Sequence, residues 1–498
     1  FSQAPTNSVE VVSTMHFSVI AALLGLLLVI FSVTMLVPIA FALWYNEPTV
    51  NIFLTAFAVT ACSGALLWLP NKKQRHTLRT RDGFLITTLF WLVLGLFGSL
   101  PLLLADSVSL SITDAIFESI SGLTTTGATV ITGLDDLPKS LLYYRQQLHW
   151  LGGIGIIVIA IAILPMLGVG GMQLYRAETP GPMKDHKLTP RITSTAKALF
   201  TIYLLITIAC GASYWLAGMS PFDALSHSFS TVAIGGFSTH DASIGYFDNP
   251  FILVVAMAFM LIAGINFALH FFAYHNRSLA VYRQDSEFKF YLLVNLLAVV
   301  IVGAALLILN YQPIGQADQL LEAAFQVVSL STTTGFVVGD YSQWPTFIPL
   351  FMFFLAFMGA SAGSTGGGMK AIRVLLIIKQ GYRELLRLIH PHAVIPIKVA
   401  GRPISNDVVS AVWSFFAFYV FAYIAMILMV LATGTDFLTA FSAVGASINN
   451  LGPGLGEVSE HYAGLSATAK WTLCLAMLLG RLEVFTVLVL LTPAFWRK

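Results

Sequence analysis

The sequence predicts an all-α integral membrane protein. It has ten transmembrane helices plus four re-entrant pore helices, arranged as fourfold pseudo-symmetric helix–pore-loop–helix repeats around a central pore. Three observations lead there. First, of 498 residues 57% are hydrophobic and only 10% are charged, where soluble domains carry about a quarter charged residues. That composition excludes a soluble enzyme, a disordered chain and a nucleic-acid binder, while the net charge of +2 says nothing about partners. Second, ten apolar runs approach the roughly 20 residues that a helix needs to cross a bilayer. Third, four connections on one side of those runs share a segment that ends in glycine.

The ten runs lie near 18–44, 49–70, 84–104, 149–171, 196–217, 250–273, 289–309, 346–368, 407–432 and 467–493. They are continuous rather than alternating, so they read as helices and not barrel strands. Basic residues orient them. Five lie in 71–83 (Lys72, Lys73, Arg75, Arg79, Arg81) and five in 172–197 (Arg176, Lys184, Lys187, Arg191, Lys197). Three lie in 275–289 (Arg277, Arg283, Lys289) and seven in 370–402; Arg497 and Lys498 close the chain. All fall on one side of a ten-span chain, which the positive-inside rule makes cytoplasmic, with both termini there. The opposite connections carry acids such as Asp114, Asp135, Asp223, Asp241, Asp340 and Glu460, which would concentrate cations at an entrance. Residues 1–16 have no basic run ahead of the first apolar segment, so no signal peptide is expected. Cys62, Cys210 and Cys474 each sit in an apolar run without metal-ligand spacing and read as small buried hydrophobes.

The four patterned segments end at Gly127, Gly236, Gly335 and Gly452, with Ala115, Ala224, Ala323 and Ala440 each twelve residues earlier. An even number of full spans separates successive copies, so the copies run parallel around an axis along the membrane normal. The resulting divisions are 1–83, a helix pair outside the repeat, then repeats at 84–195, 196–288, 289–405 and 406–498. Each short apolar piece is too short to span and suits a helix that dips in and turns back extended. Its backbone carbonyls then need a partner, and a dehydrated cation is one. The helix C-terminus points its partial negative charge at the same place. The ion-binding candidates are Thr124, Thr125, Thr126 and Gly127; Ala233, Ile234, Gly235 and Gly236; Thr332, Thr333, Thr334 and Gly335; and Asn449, Asn450, Leu451 and Gly452. Coordination by carbonyls implies a monovalent cation, since a divalent ion normally calls for carboxylates.

A gate is expected in the eighth run, where Gly359, Gly363, Gly366, Gly367 and Gly368 fall within ten residues ahead of Lys370. At 1.5 Å per residue the stretch begins about 21 Å below the outer edge, past the midplane of a core about 30 Å thick. Lys370 follows Met369 with no Ser or Thr after it, so the stretch is not a phosphate-binding loop. Arg481 lies about 16 Å below Lys470 in the last run, where an arginine marks a functional position. Glu483, two residues on, points away from it on a continuous helix. His149, His227, His240, His270 and His275 form no catalytic or metal-ligand pattern, and no enzyme activity is expected.

With these segments in view, the sequence resembles the Trk/Ktr/HKT potassium transporters, and within them the TrkH-type membrane subunit of bacteria. The resemblance rests on the stretches Thr124–Gly127, Gly235–His240, Thr332–Phe336 and Asn449–Gly454, with Trp150–Gly155 and Ala362–Lys370. It covers residues 18–498. It implies potassium as the transported ion and no organic cofactor in this chain. It also implies that the glycine-rich stretch and Arg481 narrow the pore below the filter. The family works in the inner membrane as a homodimer on a cytosolic ring of TrkA-type nucleotide-binding subunits. Membrane lipid is the other partner, and no nucleic acid is implied. Two features depart from expectation: Ile234 stands where a threonine is expected, and each repeat has one filter glycine where tetrameric potassium channels have two. A weakly selective potassium/sodium pore and a proton- or sodium-coupled transporter are the alternatives.

Overall fold

The computed structural model describes residues 17–72, 80–158, 192–311 and 316–497. Residues 1–16, the inner part of the fourth run (159–171), Lys73, Arg75, Arg79, Arg176, Lys184, Lys187 and Arg191 lie outside the described residues. The chain opens with α1 (Phe17–Thr34), α2 (Val37–Trp44) and α3 (Val50–Asn71). Pro38 sits in the first turn of α2, where its missing N–H costs nothing. A Cβ placed on Gly25 would lie 2.6 Å from the Gly64 carbonyl oxygen, so these two glycines let α1 and α3 pack backbone to backbone. α4 (Thr80–Gly98) continues into the one-turn α5 (Leu100–Leu103).

The rest of the chain follows in four stretches, each with one helix that ends three or four residues before Gly127, Gly236, Gly335 or Gly452. The first contains α6 (Ile112–Leu123) and α7 (Lys139–Val158); the second α8 (Ile192–Leu216), α9 (Pro221–Ala233), α10 (Pro250–Ala263), α11 (Phe267–Asn276) and the short α12 (Ala280–Gln284). The third holds α13 (Ser286–Ile308), α14 (Gln316–Ser331), α15 (Ile348–Met358) and α16 (Ala371–Ile389). A two-stranded antiparallel ribbon of β1 (Lys398–Val399) and β2 (Arg402–Pro403) leads to the fourth. That unit comprises α17 (Asn406–Leu431), α18 (Phe437–Ile448), α19 (Ala467–Arg481), α20 (Phe485–Leu491) and α21 (Pro493–Trp496).

The short helices α6, α9 and α18 start on side-chain caps: Ser111 accepts from the Asp114 N–H, Ser220 from the Asp223 N–H, and Asp436 from the N–H groups of Leu438 and Thr439. Each cap stands sixteen residues before its glycine and satisfies donors that a helix start leaves open. The three helices are almost wholly buried past their first turn.

Six helical stretches among the described residues are long and apolar enough to cross a membrane, seven if the bent pair α10–α11 is one span. Among the described residues three of the ten runs are broken; the sequence predicts the break in the eighth and reads as continuous in the sixth and tenth. α10 and α11 meet at 90° because the break at Gly264–Asn266 restarts a helix, with the Asn266 side chain accepting from the Ala268 N–H. α15 stops at Met358, after which residues 359–370 are irregular, as the glycines predict. α19 stops at Arg481, and Glu483 and Val484 take positive φ of 56° and 43°, a conformation that breaks a helix of L-residues.

Candidate functional site: a carbonyl ring above a glycine segment

The four helix ends repeat one geometry. Thr125, Ile234, Thr333 and Asn450 have φ of 51°, 54°, 68° and 52°. Each donates its N–H at 3.1 Å to the carbonyl three residues back (Gly122, Thr231, Leu330, Ser447). The next residue donates five back: Thr126 to Ser121 at 2.9 Å, and Gly235 to Ser230, Thr334 to Ser329 and Leu451 to Ala446 at 2.8 Å each. This is the Schellman ending, here with a non-glycine residue in the left-handed position. Left-handed backbone costs an L-residue about 1–2 kcal/mol, so four copies hold strain that the surrounding packing must overcome.

Two residues after each of these left-handed positions the chain turns left-handed again, at Gly127, Gly236, Gly335 and Gly452, with φ of 80°, 82°, 83° and 96°. These glycines meet in a closed circuit. An added Cβ would collide with the Gly235 carbonyl oxygen at Gly127, the Thr334 oxygen at Gly236 and the Leu451 oxygen at Gly335. At Gly452 it would lie 2.7 Å from the Thr126 oxygen, which returns the circuit to the first segment. Sixteen candidate residues on four remote segments are thus brought together as one ring.

Hydroxyl groups brace two of the segments. Thr124 Oγ1 donates to the Ile120 carbonyl at 2.7 Å and pairs with Thr126 Oγ1 at 2.8 Å. Thr332 does the same with Val328 and Thr334, both at 2.7 Å. Ala233 and Gly235 have no such groups. There the His149 ring fills the space beside Gly235, stacked on Phe237 and bonded to Ser230 Oγ at 2.9 Å. In the fourth segment Asn449 Nδ2 donates to the Gly445 carbonyl at 2.9 Å and its Oδ1 accepts from Tyr419 at 2.7 Å. Ile234 turns its side chain behind the ring, its Cδ1 3.5 Å from where a Gly366 Cβ would be. Ile234 therefore contributes backbone to the ring as the threonines do, and its methyls seal the glycine segment.

Several supporting residues escaped the sequence reading. Glu118 and Arg145 form a fully buried ion pair at 2.8 Å. Arg145 also donates to the Ser238 carbonyl and to Thr129 Oγ1, both at 3.1 Å. Glu118 accepts from the Val130 N–H at 2.9 Å. The pair thus ties the strands leaving the first two glycines. Tyr341 and Tyr462 donate to the carbonyls of Gly454 and Gly452 at 2.9 and 2.7 Å. The signal was available: Lys139, Arg145, Lys470 and Arg481 are the four basic residues outside the basic groups that oriented the runs. Three of them find partners on this face, Lys470 pairing with Asp114 at 2.6 Å and Lys139 lying over the Phe222 ring.

On one side of the ring an open cavity of about 450 Å³ is lined by all four glycines together with Asp241, Asp340 and Glu460. His240 lies at its edge between two carboxylates, in contact with Asp135 and 3.4 Å from Asp223, and stacks on Tyr246. Burial works against a charged ring, but the Asp223 and Asp135 carboxylates outweigh it and raise the His240 pKa above its ordinary value. Burial likewise raises Asp135, and its bond to His240 reverses this, leaving its pKa lowered.

Beneath the ring runs the glycine segment 359–370. The Gly367 N–H donates to Thr333 Oγ1 at 2.7 Å, and the Gly368 N–H to the Asn449 carbonyl at 3.1 Å. Thr365 Oγ1 donates to the Val232 carbonyl at 2.9 Å. The segment is therefore bonded to the ends of three of the four short helices. A Cβ on Gly359 would collide with the Gly367 oxygen, where the segment folds back on itself. Lys370 donates to the Gly366 carbonyl. Arg481, only 4% exposed, donates to the Thr365 carbonyl at 3.0 Å, while its Nε and Nη2 have no hydrogen-bond partner. Gly363, Gly366, Gly367, Lys370, Asn450 and Arg481 line a cavity of about 40 Å³, room for only a few waters. Glu483 does point away from Arg481, but through the break at 483–484 rather than helical spacing; it pairs with Arg373 at 2.5 Å.

Chemically, the ring offers backbone carbonyls and four helix C-termini with no charged side chain in the circuit, a donor set suited to a desolvated monovalent cation. Comparison with known proteins agrees. The model of the TrkH family, described as cation transport proteins, matches residues 49–498. A Trk system potassium uptake protein TrkH from Halomonas elongata is 56% identical over 97% of this chain and 100% of its own length. Its counterpart in Escherichia coli K12 is 52% identical over the same shares. The crystal structure of the potassium transporter TrkH from Vibrio parahaemolyticus superposes with a TM-score of 0.90 at 52% identity, covering 97% of this chain and 100% of that one.

Proposed function

The chain belongs to the TrkH family of cation transport proteins, and from that premise we propose that it takes up potassium as the membrane permease of a Trk-type system. It is a multi-span helical membrane transporter and not an enzyme. Ions gather in the acidic cavity, lose water at the backbone carbonyls around Gly127, Gly236, Gly335 and Gly452, and leave past the glycine segment and Arg481. The observation that carries this reading is the closed circuit of the four glycines on each other's carbonyls. Side-chain chemistry at Ile234 and Leu451 is then immaterial to coordination, because every segment presents backbone to the ion.

Four repeats about one axis, divided at 84–195, 196–288, 289–405 and 406–498, are supported by the shared helix endings. Ten spans are the sum of the six long helices, the bent pair and the three runs through α7, α15 and α19–α20. Placement in the inner membrane with both termini in the cytoplasm is supported by the distribution of basic residues. The glycine segment and Arg481 act as the gate: a narrow cavity and a fixed cation beside an irregular backbone together raise the barrier to a permeating cation. Homodimerisation and a cytosolic TrkA-type nucleotide-binding partner follow from the family resemblance. The test is growth of a strain lacking its own potassium uptake at limiting potassium. The chain should restore growth and Gly236→Ser should not; rescue by the serine variant would remove the ring from the mechanism.

A further inference from the structure

Glu287 has no place in the filter or in the expected gate, yet it touches both ends of the glycine segment. It stands in the first turn of α13, next to the Asp285 cap, and is 3% exposed. Its Oε1 accepts from the Ala362 N–H at 2.7 Å and from the Ile372 N–H at 3.2 Å. Ala362 precedes the central glycines, and Ile372 lies in the first turn of α16, just after them. One oxygen thus ties the entry and the exit of a segment that is otherwise irregular. Two backbone bonds run alongside it, from the Ala371 N–H to the Ala360 carbonyl and from the Met369 N–H to the Phe357 carbonyl, both at 3.0 Å. The bend in the sixth run adds two more: the Ser361 N–H donates to the Gly264 carbonyl at 2.9 Å, and the Phe267 N–H to the Gly363 carbonyl at 3.0 Å.

A carboxyl group buried at this point is costly unless its oxygen is hydrogen-bonded, and here one oxygen accepts two backbone N–H groups. An apolar residue here would leave two buried N–H groups of the segment unpaired. A glycine-rich segment has the least intrinsic preference for any one backbone path, so contacts from outside fix it: those of Thr365, Gly367 and Gly368 to the short helices, and those at its ends. Glu287 supplies two of the latter from a different helix.

We propose that Glu287 is the positioning residue of the gate, a clasp whose single oxygen holds both ends of the 359–370 segment in the ion-blocking path. This rests on the gate reading above. The clasp belongs to α13, so displacement of the start of that helix moves the segment ends together. Losing one hydrogen bond from the closed state alone shifts a two-state equilibrium severalfold.

The experiment compares Glu287→Asp, Glu287→Gln and Arg481→Ala in the full-length chain, by single-channel recording in planar bilayers after each variant is shown to purify as wild type does. Aspartate keeps the carboxyl group but is one methylene short of reaching both N–H groups. It should raise open probability severalfold at unchanged unitary conductance, which a merely structural defect would not do. Glutamine keeps the accepting oxygen and should return open probability most of the way to wild type. Wild-type gating in Glu287→Asp overturns the clasp. Open probability in Glu287→Gln as high as in Glu287→Asp shows that charge rather than reach matters, and overturns it also. Unchanged currents in Arg481→Ala would instead reject the gate reading on which the clasp depends, whatever the Glu287 variants do.

Discussion

Adding one methyl group at Gly452 tests the ring at its most forgiving point. The new Cβ would lie 2.7 Å from the Thr126 carbonyl oxygen and 3.0 Å from the Gly127 carbonyl carbon, where ordinary contact begins at 3.4 Å. The oxygen must retreat by about 0.7 Å, the difference between those two values. It cannot retreat freely, because Thr126 is fixed by its N–H bond to Ser121 and its hydroxyl contacts to Thr124 and Asn450. Alanine must also adopt φ near 96°, at a cost of about 1–2 kcal/mol. With 1.4 kcal/mol equal to a factor of ten, relief of that strain through the ring corresponds to a change in selectivity of about 5- to 30-fold. Gly452→Ala is therefore expected to lower the potassium-to-sodium flux ratio in proteoliposomes by about an order of magnitude. Gly464→Ala, with nothing within 4 Å of the added atom, is the matched control and should behave as wild type. A wild-type ratio in Gly452→Ala would refute the claim that these carbonyls set selectivity.

Three further outcomes follow from the geometry. Arg481→Ala removes the fixed cation and its bond to Thr365, and should raise potassium flux; unchanged flux would mean that Arg481 is structural. Arg145→Ala strands the buried Glu118 carboxylate and should destabilise the protein by about 3–5 kcal/mol, read as a fall in unfolding temperature in detergent. The double change Glu118→Gln with Arg145→Met should cost less. The third outcome concerns pH. His240 faces Asp135, Asp223, His227 and Tyr246, with Asp241 beside it, and its pKa is raised on folding. Its pairing therefore stabilises fully below the ordinary histidine pKa of about 6.5 and is lost as pH rises through the raised value. Above that value the cavity mouth loses one positive charge, so flux at low ionic strength should rise with outside pH, by well under about tenfold. His240→Gln should flatten that profile.

How much of this could be read from the sequence depended on whether the signal was local. The short helices and their glycines were legible because cap, helix length and turn recur at fixed spacing; Ser111, Ser220 and Asp436 all precede their glycines by sixteen residues. The irregular eighth run was legible because five glycines weaken any helix. The breaks at Gly264–Asn266 and Glu483–Val484 were not. One glycine followed by an asparagine, or two ordinary residues in positive φ, leaves an apolar run looking continuous. The packing of Ile234, whose Cδ1 lies 3.5 Å from where a Gly366 Cβ would be, could not be read from the sequence either. Nor could the sequence join Glu118 to Arg145 or Glu287 to Ala362. Those contacts span 27 and 75 positions, and only the packing of separate helices creates them.

The central claim is that four backbone segments form one potassium-selective path, and parallel potassium and sodium flux into liposomes containing the purified chain tests it most directly. The account predicts fast potassium flux with little sodium, once Arg481→Ala or the cytosolic partner has released the gate. Equal flux of the two ions under those conditions would contradict selectivity at the ring, and no flux of either would contradict the pore itself.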